Sequence, residues 1–177
     1  MANPRKEFSK IFDKYIDKIY RFVFLKVNSE EIAQDLCSET FLRGWEAYQK
    51  AQNSKLKAQN EIKNPPAFLY QIARNLVTDY YREKGRTQIV STENAAIIDP
   101  KPSIEEKFAL ASDLDRIKAV LANLKEDYQN VVIWRYLDDL PIPEIAKILD
   151  KSEPATRVML SRALKALKNE INRIQTS

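Results

Sequence analysis

Apolar side chains recur in the first half of this chain at the three- and four-residue spacing of helices that bury one side. The first stripe predicts a helix from about Phe8 to Lys26. Asn28 and Ser29 provide a break and an N-cap before a second helix, predicted from Glu30 to Lys50. The apolar positions of the second helix are Ile32, Ala33, Leu36, Cys37, Phe41, Trp45 and Tyr48.

Pro65 and Pro66 fit the first turn of a third helix, because that turn has no partner for the N–H groups that proline lacks. This helix is predicted to end near Lys84, with Gly85 as its stop. Its apolar stripe consists of Phe68, Leu69, Ile72, Ala73, Leu76, Val77 and Tyr80. The polar stretch 51–64 lacks this periodicity and predicts a loop. Three helices with one shared core predict a first domain.

The helical pattern disappears between Arg86 and Pro102, where polar and acidic residues and two prolines predict a flexible linker. Ser103 and Glu106 have the spacing of a capping box, which predicts a fourth helix up to about Asn123. A fifth helix is predicted over residues 126–137. The predicted divisions are a first domain (1–87), an acidic linker (88–103) and a second domain (104–177).

The pattern near the end of the chain is typical of a helix-turn-helix. A short helix is predicted from Ile142 to Leu149, and after a tight break at Asp150, Ser152 can cap a longer helix. The core contacts predicted for the longer helix are Val158, Leu160, Ala163, Leu164, Leu167 and Ile171. Its predicted outward residues are Arg157, Ser161, Arg162 and Lys165. The alternative is an ordinary helical hairpin with a solvated basic face.

Composition supports an all-α protein: two small helical domains joined by a flexible linker, the second containing the helix-turn-helix. The chain has two glycines, 31% charged residues and 44% hydrophobic residues, as amphipathic helices require. Histidine is absent and Cys37 is the single cysteine, so we expect no catalytic residue, no metal site and no cofactor. No apolar run approaches about 18 residues and no signal-peptide pattern is present, so a cytoplasmic location is expected.

Charge is distributed unevenly along the chain. Residues 1–87 contain 16 basic and 11 acidic side chains, residues 88–115 contain 2 and 6, and residues 116–177 contain 11 and 8. Two basic blocks therefore flank an acidic middle. Basic clusters of this kind suit the phosphate backbone of nucleic acid, although a solvated helix face has the same appearance.

Four segments together resemble the extracytoplasmic-function sigma factors of the sigma-70 family, over about residues 8–171. The stretch 33–45, AQDLCSETFLRGW, resembles the family's polymerase-binding helix. The stretch 68–82, FLYQIARNLVTDYYR, resembles the helix that binds the minus-ten element. The stretches 128–136, YQNVVIWRY, and 144–149, EIAKIL, resemble the start of the domain that binds the minus-thirty-five element.

The resemblance implies a transcription initiation factor whose partners are core RNA polymerase and promoter DNA. An anti-sigma factor or another DNA-bound recruiting protein would be a further partner, and magnesium would belong to the polymerase. The linker is expected to thread toward the polymerase's active-site and RNA-exit channels, or to be a solvated tether. The polymerase-binding residues implied on the second helix are Asp35, Glu39, Leu42, Arg43 and Glu46.

Two sets of DNA-binding residues are also implied. Tyr70, Asn75 and Asp79 would border a pocket for a flipped, unpaired base, with lysines of the 50–64 loop over that strand. The complete minus-ten set is Lys55, Lys57, Lys63, Tyr70, Arg74, Asn75, Asp79 and Arg82. The minus-thirty-five set is Glu153, Thr156, Arg157, Val158, Ser161, Arg162 and Lys165.

The helix-turn-helix departs from the family pattern at several positions. Asp150 and Lys151 replace a usual glycine and apolar residue, and aspartate tolerates the left-handed backbone that this turn needs. Pro141 replaces a usual serine cap, and Val158 places an apolar side chain on the base-facing side. One hypothesis is that the protein binds the minus-thirty-five element weakly and is positioned by another DNA-bound protein.

Other classes of function predict different sequence features. A helix-turn-helix regulator that binds duplex DNA without joining the polymerase is the main alternative, but it has no use for the motif at 35–45. An enzyme is disfavoured, because no pair of residues has a spacing that indicates a nucleophile and its base. Two helical modules that bind only proteins would not explain the basic last helix.

Overall fold

The computed structural model describes residues 3–53, 61–91 and 113–176, with the backbone alone for 86–91 and 113–114. Every regular element in these ranges is helical, as the sequence predicts. The helices are α1 (Pro4–Val27), α2 (Glu30–Asn53), α3 (Pro65–Ser91), α4 (Asp113–Ala122), α5 (Glu126–Val132), α6 (Ile142–Leu149) and α7 (Glu153–Thr176). Residues 92–112 lie outside the described ranges. They include most of the predicted linker and the capping box predicted for the fourth helix, Ser103 and Glu106.

The break between α1 and α2 is the predicted one. Asn28 adopts a left-handed backbone with φ of 53°, and its N–H donates to Phe24 O at 2.9 Å, which ends α1. Ser29 then caps α2, since its hydroxyl oxygen accepts from Ile32 N at 3.4 Å.

The third helix begins as predicted and ends later than predicted. Asn64 caps it by accepting from Ala67 N at 2.8 Å, and Pro65 is its first residue. The helix passes through Gly85 and continues to Ser91, so the prediction of a stop at Gly85 was wrong. A glycine ends a helix when it adopts the left-handed conformation, and Gly85 does not have a positive φ.

The predicted fifth helix is two elements. The α-helical part ends at Val132, and one turn of π-helix follows from Ile133 to Leu137. Asp138 closes this wider turn by donating its N–H to Ile133 O at 2.9 Å. Turns of this kind are rare and often lie at functional positions. Here the turn contains Trp134 and is followed by Asp138, and both side chains contact α1 and α3.

The helix-turn-helix agrees with the prediction in its turn and its caps. Asp150 takes the left-handed conformation, with φ of 53°, and Lys151 N donates to Ala146 O at 3.0 Å. Ser152 caps α7 by accepting from Ala155 N at 3.2 Å. Pro141 precedes α6, and no side chain caps this helix. This is expected because proline stands where the family usually has a capping serine.

The N-terminal helices α1–α3 and the C-terminal helices α4–α7 pack against each other through one continuous apolar core. Trp134 is fully buried, and its ring centroid lies 5.5 Å from that of Phe22 and 6.0 Å from that of Tyr70. The division into two domains at residues 88–103 remains a prediction.

A buried polar contact lies beside these rings. The Tyr70 hydroxyl donates to Asp138 Oδ2 at 3.0 Å, and Arg21 donates to Leu137 O at 2.5 Å, with its guanidinium 3.7 Å from Asp138 Oδ1. Burial raises the pKa of Asp138 to about 6, against the lowering effects of Tyr70, Arg21 and Lys18. We call this set, Arg21, Tyr70 and Asp138, the carboxylate contact.

A second polar contact joins the same two parts of the molecule. Lys26 donates from Nζ to Asn130 Oδ1 at 2.5 Å, and its Nζ is 3.9 Å from Glu126 Oε1. Burial lowers the pKa of Lys26 to about 8, although Glu126 and Asp127 act in the opposite direction.

Replacing each of the two glycines by alanine is expected to change the free energy of unfolding in opposite directions. A methyl group at Gly44 would overlap Leu69 Cδ2, in a buried contact between α2 and α3, whereas Gly85 has open space around it. Gly44→Ala is expected to lower the free energy of unfolding by about 1–3 kcal/mol through overpacking. Gly85→Ala, the matched control, is expected to raise it by about 0.5–1 kcal/mol, because alanine favours the helix. Urea denaturation measures both, and equal effects would contradict the packing described.

The carboxylate contact predicts a pH dependence of stability. Because the pKa of Asp138 is raised in the folded chain, the folded state binds this proton more tightly, and stability increases as pH falls through about 6. Histidine, which would titrate in the same window, is absent from the sequence. Between pH 7 and pH 5, the wild type should therefore gain stability relative to Asp138→Asn, whose side chain cannot be protonated. Parallel denaturation midpoints for the two proteins across this range would contradict the assignment.

Candidate polymerase and nucleic-acid interfaces

One side of α2 is free because the other side forms the core. Ala33, Cys37, Phe41, Gly44 and Tyr48 are buried, and at about 100° per residue the polymerase-binding set lies on the opposite side. The members of that set are Asp35, Glu39, Leu42, Arg43 and Glu46. The side chains of this set therefore take no part in the buried core, and their role in polymerase binding remains a prediction.

This α2 face combines charge with an apolar centre. Leu42 is 52% exposed, and Glu39 accepts from Arg43 Nε at 2.6 Å, one helical turn away. Asp35 and Glu46 are exposed on either side. Charged side chains therefore surround one exposed leucine at the centre of this face.

The polar face of α3 is open along one edge. Asn75, Asp79 and Arg82 are exposed, and Arg82 Nη1 lies 3.8 Å from Asp79 Oδ1. Arg74 is partly exposed beside them. These four predicted minus-ten residues share one surface, which offers amide, carboxylate and guanidinium groups.

The other edge of α3 is covered by the C-terminal helices. Tyr70 is 1% exposed, and its burial and Asp138 raise the pKa of its hydroxyl. Gln71 Nε2 donates to Ile148 O at 3.0 Å, and Thr78 donates to Glu126 Oε1 at 3.0 Å. In this arrangement Tyr70 therefore does not border an open pocket, unlike the expectation from the sequence. A pairing between positions 70 and 138 leaves no periodic signal from which it could have been predicted.

The loop lysines are described only in part. Lys50 is exposed in the last turn of α2, and Lys63 is exposed just before α3. Lys55 and Lys57 lie outside the described residues. The placement of the loop lysines over the unpaired strand therefore remains a prediction.

The exposed face of α7 contains six of the seven predicted minus-thirty-five residues. These exposed residues are Glu153, Arg157, Val158, Ser161, Arg162 and Lys165. Arg157 Nη2 lies 3.8 Å from Glu153 Oε2, and both side chains face solvent. The N-terminal half of α7 therefore presents two arginines and a lysine on one side.

Two predictions on α7 need correction. Thr156 is 0% exposed, and its hydroxyl donates to Ser152 O at 2.9 Å, so it is part of the packed side and not of the open surface. A threonine can be buried here because the helix itself satisfies its hydroxyl. Val158, which was also counted among the core contacts, is 50% exposed and does not belong to the core.

The described residues contain neither a candidate metal-binding cluster nor a candidate membrane-spanning helix. Within the ranges 3–53, 61–91 and 113–176, no group of three or more His, Cys, Asp or Glu side chains could hold a metal ion. No helix in the same ranges is long and apolar enough to cross a bilayer.

Two family models match this chain, one over its N-terminal helices and one over its C-terminal helices. Residues 11–87 match Sigma-70 region 2, and residues 114–167 match Sigma-70, region 4. The first match covers α2 and most of α1 and α3, which contain predicted polymerase-binding and minus-ten residues. The second covers α5, α6, nearly all of α4 and most of α7.

Individual relatives agree with these matches. The chain is 30% identical over 171 residues to the ECF RNA polymerase sigma factor BldN of Streptomyces coelicolor, covering 94% of this chain and 61% of BldN. It is 26% identical over 170 residues to the ECF RNA polymerase sigma factor SigM of Bacillus subtilis, covering 93% of this chain and 94% of SigM.

Two solved structures share the fold. The sigma factor RpoE, in complex with the anti-sigma factor NepR from Bartonella quintana, has a TM-score of 0.65 at 20% identity, covering 94% of this chain and 98% of that one. CnrH, in complex with the cytosolic domain of CnrY, has a TM-score of 0.64 at 17% identity, covering 96% and 90%. With regions 2 and 4 both matched and in order, the chain belongs to the extracytoplasmic-function sigma factors of the sigma-70 family.

Proposed function

We propose that this sigma factor binds core RNA polymerase through the α2 face, holds the melted minus-ten strand on α3, and docks α7 in the major groove upstream. The observation that carries the proposal is the α2 face itself, because a charged surface around an exposed leucine has no role in the packing of α1–α3. The protein itself contributes binding energy and positioning, with no chemical step of its own. Because its partner is RNA polymerase, we expect it to act in the cytoplasm.

A duplex-binding regulator outside the polymerase is the alternative, and the α2 face argues against it. Such a regulator needs α6 and α7 to contact DNA and leaves Asp35, Glu39 and Leu42 without a function. It also predicts specific binding of intact duplex by the purified protein. The sigma proposal predicts weak binding by the free protein and promoter opening when core polymerase is added.

The α2 face predicts the result of charge reversal. The double variant Asp35→Lys, Glu39→Lys is expected to weaken binding to core polymerase by about tenfold or more, since like charges across an interface cost several kcal/mol. The matched control is Asp13→Lys, Asp17→Lys, which makes the same charge change at exposed positions of α1. Co-purification with core polymerase and fluorescence anisotropy measure the binding. Equal affinity for the two double variants would exclude the α2 face.

The minus-ten surface requires a further step, because Tyr70 is covered. If Tyr70 is to contact an unpaired base, α3 must separate from Asp138 and Trp134. We propose that binding to core polymerase separates the N-terminal and C-terminal helices, which then contact promoter elements on different parts of the DNA. The free protein would thus keep this edge of α3 away from DNA.

This separation predicts a change at Trp134 that can be observed directly. With 5-fluorotryptophan at position 134, in a Trp45→Phe background, the ¹⁹F resonance should move to a solvent-exposed shift when core polymerase is added. The control is the same label at Trp45 in a Trp134→Phe background, where the side chain packs on Phe8 and Tyr48 within the N-terminal helices. An unmoved Trp134 resonance in the complex would rule out separation.

An anti-sigma factor is proposed as an additional partner. The solved sigma factor RpoE, which shares this fold, was determined in complex with the anti-sigma factor NepR. An apolar groove of about 460 Å³ between α4, α5 and α7 supports the proposal, with Ile117 and Tyr136 exposed at its edge. A large apolar surface of this kind suits a partner helix.

A further inference from the structure

Val158 occupies the centre of the outward side of α7. It is 50% exposed and lies two residues from both Thr156 and Leu160, which are buried. At about 100° per residue, two residues in either direction reach the opposite side of a helix. Val158 therefore points directly away from the packed side, in the second turn of the helix, where a helix-turn-helix protein places its base contacts.

The surroundings of Val158 are polar and positively charged. Arg157, Ser161, Arg162 and Lys165 are all exposed next to it on the same half of α7. Pro154, one turn earlier on the same side, is also exposed and apolar. Groups that can bind phosphates and guanine edges thus surround a small apolar area, formed by Val158 and Pro154, that can do neither.

The chemistry of the major groove identifies one partner for this apolar area. Thymine is the base that presents a methyl group in the groove, while the other bases present amino groups or acceptor atoms there. A valine side chain placed over an amino group or a carbonyl oxygen would remove water from it and supply no hydrogen bond, which is unfavourable. Against a methyl group, the same side chain buries apolar surface on both sides.

We propose that Val158 contacts the C5 methyl group of a thymine in the upstream promoter element and is a specificity-determining residue of this protein. The inference depends on the proposed docking of α7 in the major groove. It differs from the hypothesis that the protein binds the minus-thirty-five element weakly, because here Val158 contacts one particular base. The arginines and the lysine then contribute affinity, and Val158 contributes the preference for thymine at one position.

The test removes one methyl group from the DNA at a time. The holoenzyme, reconstituted with core polymerase, is first used to select a promoter from a randomised duplex library. Each thymine of the upstream element is then replaced singly by deoxyuridine, which lacks the C5 methyl group and keeps every hydrogen-bonding atom. Replacement at one position is expected to lower affinity about threefold to fourfold, the factor that burial of one methyl group supplies.

Protein variants then connect that position to Val158. Val158→Ala should lower affinity for the thymine promoter by a similar factor and make deoxyuridine at the sensitive position neutral. Arg162→Ala should lower affinity for both promoters and preserve the difference between them. Asn169→Ala, exposed further along the same side of α7, should change neither. Val158→Ala is expected to fold, because the residue is exposed and alanine favours helix.

Two results would overturn the inference, and they are distinguishable. If no deoxyuridine replacement changes affinity while Arg162→Ala and a scrambled upstream element do, α7 binds the groove but Val158 does not contact a thymine methyl group. That result would favour Val158 as a contact for another DNA-bound protein. If Arg162→Ala and the scrambled element also have no effect, the docking of α7 itself is wrong.

Discussion

A helix that packs against neighbours on one side must leave its other side to solvent or to a partner, and this constraint organises the molecule. In α2, the residues that hold α1 and α3 are Ala33, Cys37 and Phe41, and the side opposite them is charged. In α7, Thr156, Leu160 and Ala163 are buried, and the side opposite them is basic. Because packing and function use opposite sides, each surface can change its chemistry without loss of the core.

The contact between the N-terminal and C-terminal helices has a different character. Its apolar part is well packed, with Trp134 between Phe22 and Tyr70. Its polar part is incompletely paired. Asp138 Oδ1 faces the Arg21 guanidinium at 3.7 Å without a hydrogen bond, and among the described residues Trp134 Nε1 and Asn130 Nδ2 are buried with no hydrogen-bond partner. Each such group costs about 1–3 kcal/mol. The contact is therefore weaker than its apolar area indicates, which is consistent with a closed arrangement that a stronger partner can open.

Local features of the sequence predicted local structure well. The helices follow from apolar spacing, and their boundaries at Asn28, Pro65 and Asp150 follow from the backbone preferences of single residues. The predicted helix end at Gly85 was wrong, because glycine permits a left-handed end to a helix without requiring one. The π-helical turn from Ile133 to Leu137 has no signal in spacing either, since one wider turn hardly alters the apolar pattern.

The surfaces were predicted less evenly, for two physical reasons. Tyr70 was placed on an open surface, because its contact with Asp138 joins residues far apart in the sequence and depends on how two helical parts meet. Thr156 was placed on the DNA-binding side by the family resemblance, although its hydroxyl donates to Ser152 O and can therefore be buried at little cost.

The departures of the helix-turn-helix from the family pattern have a common consequence. Asp150 keeps the left-handed turn, so α6 and α7 retain their connection without the usual glycine. Val158 then changes the surface of α7 and not its position, since it is exposed and does not contribute to the core. A change confined to the surface alters which base edges are favoured, while a change in the turn would alter whether the helix reaches the groove. Under the proposed docking of α7, these substitutions therefore alter which base edges are favoured and leave the reach of the helix unchanged.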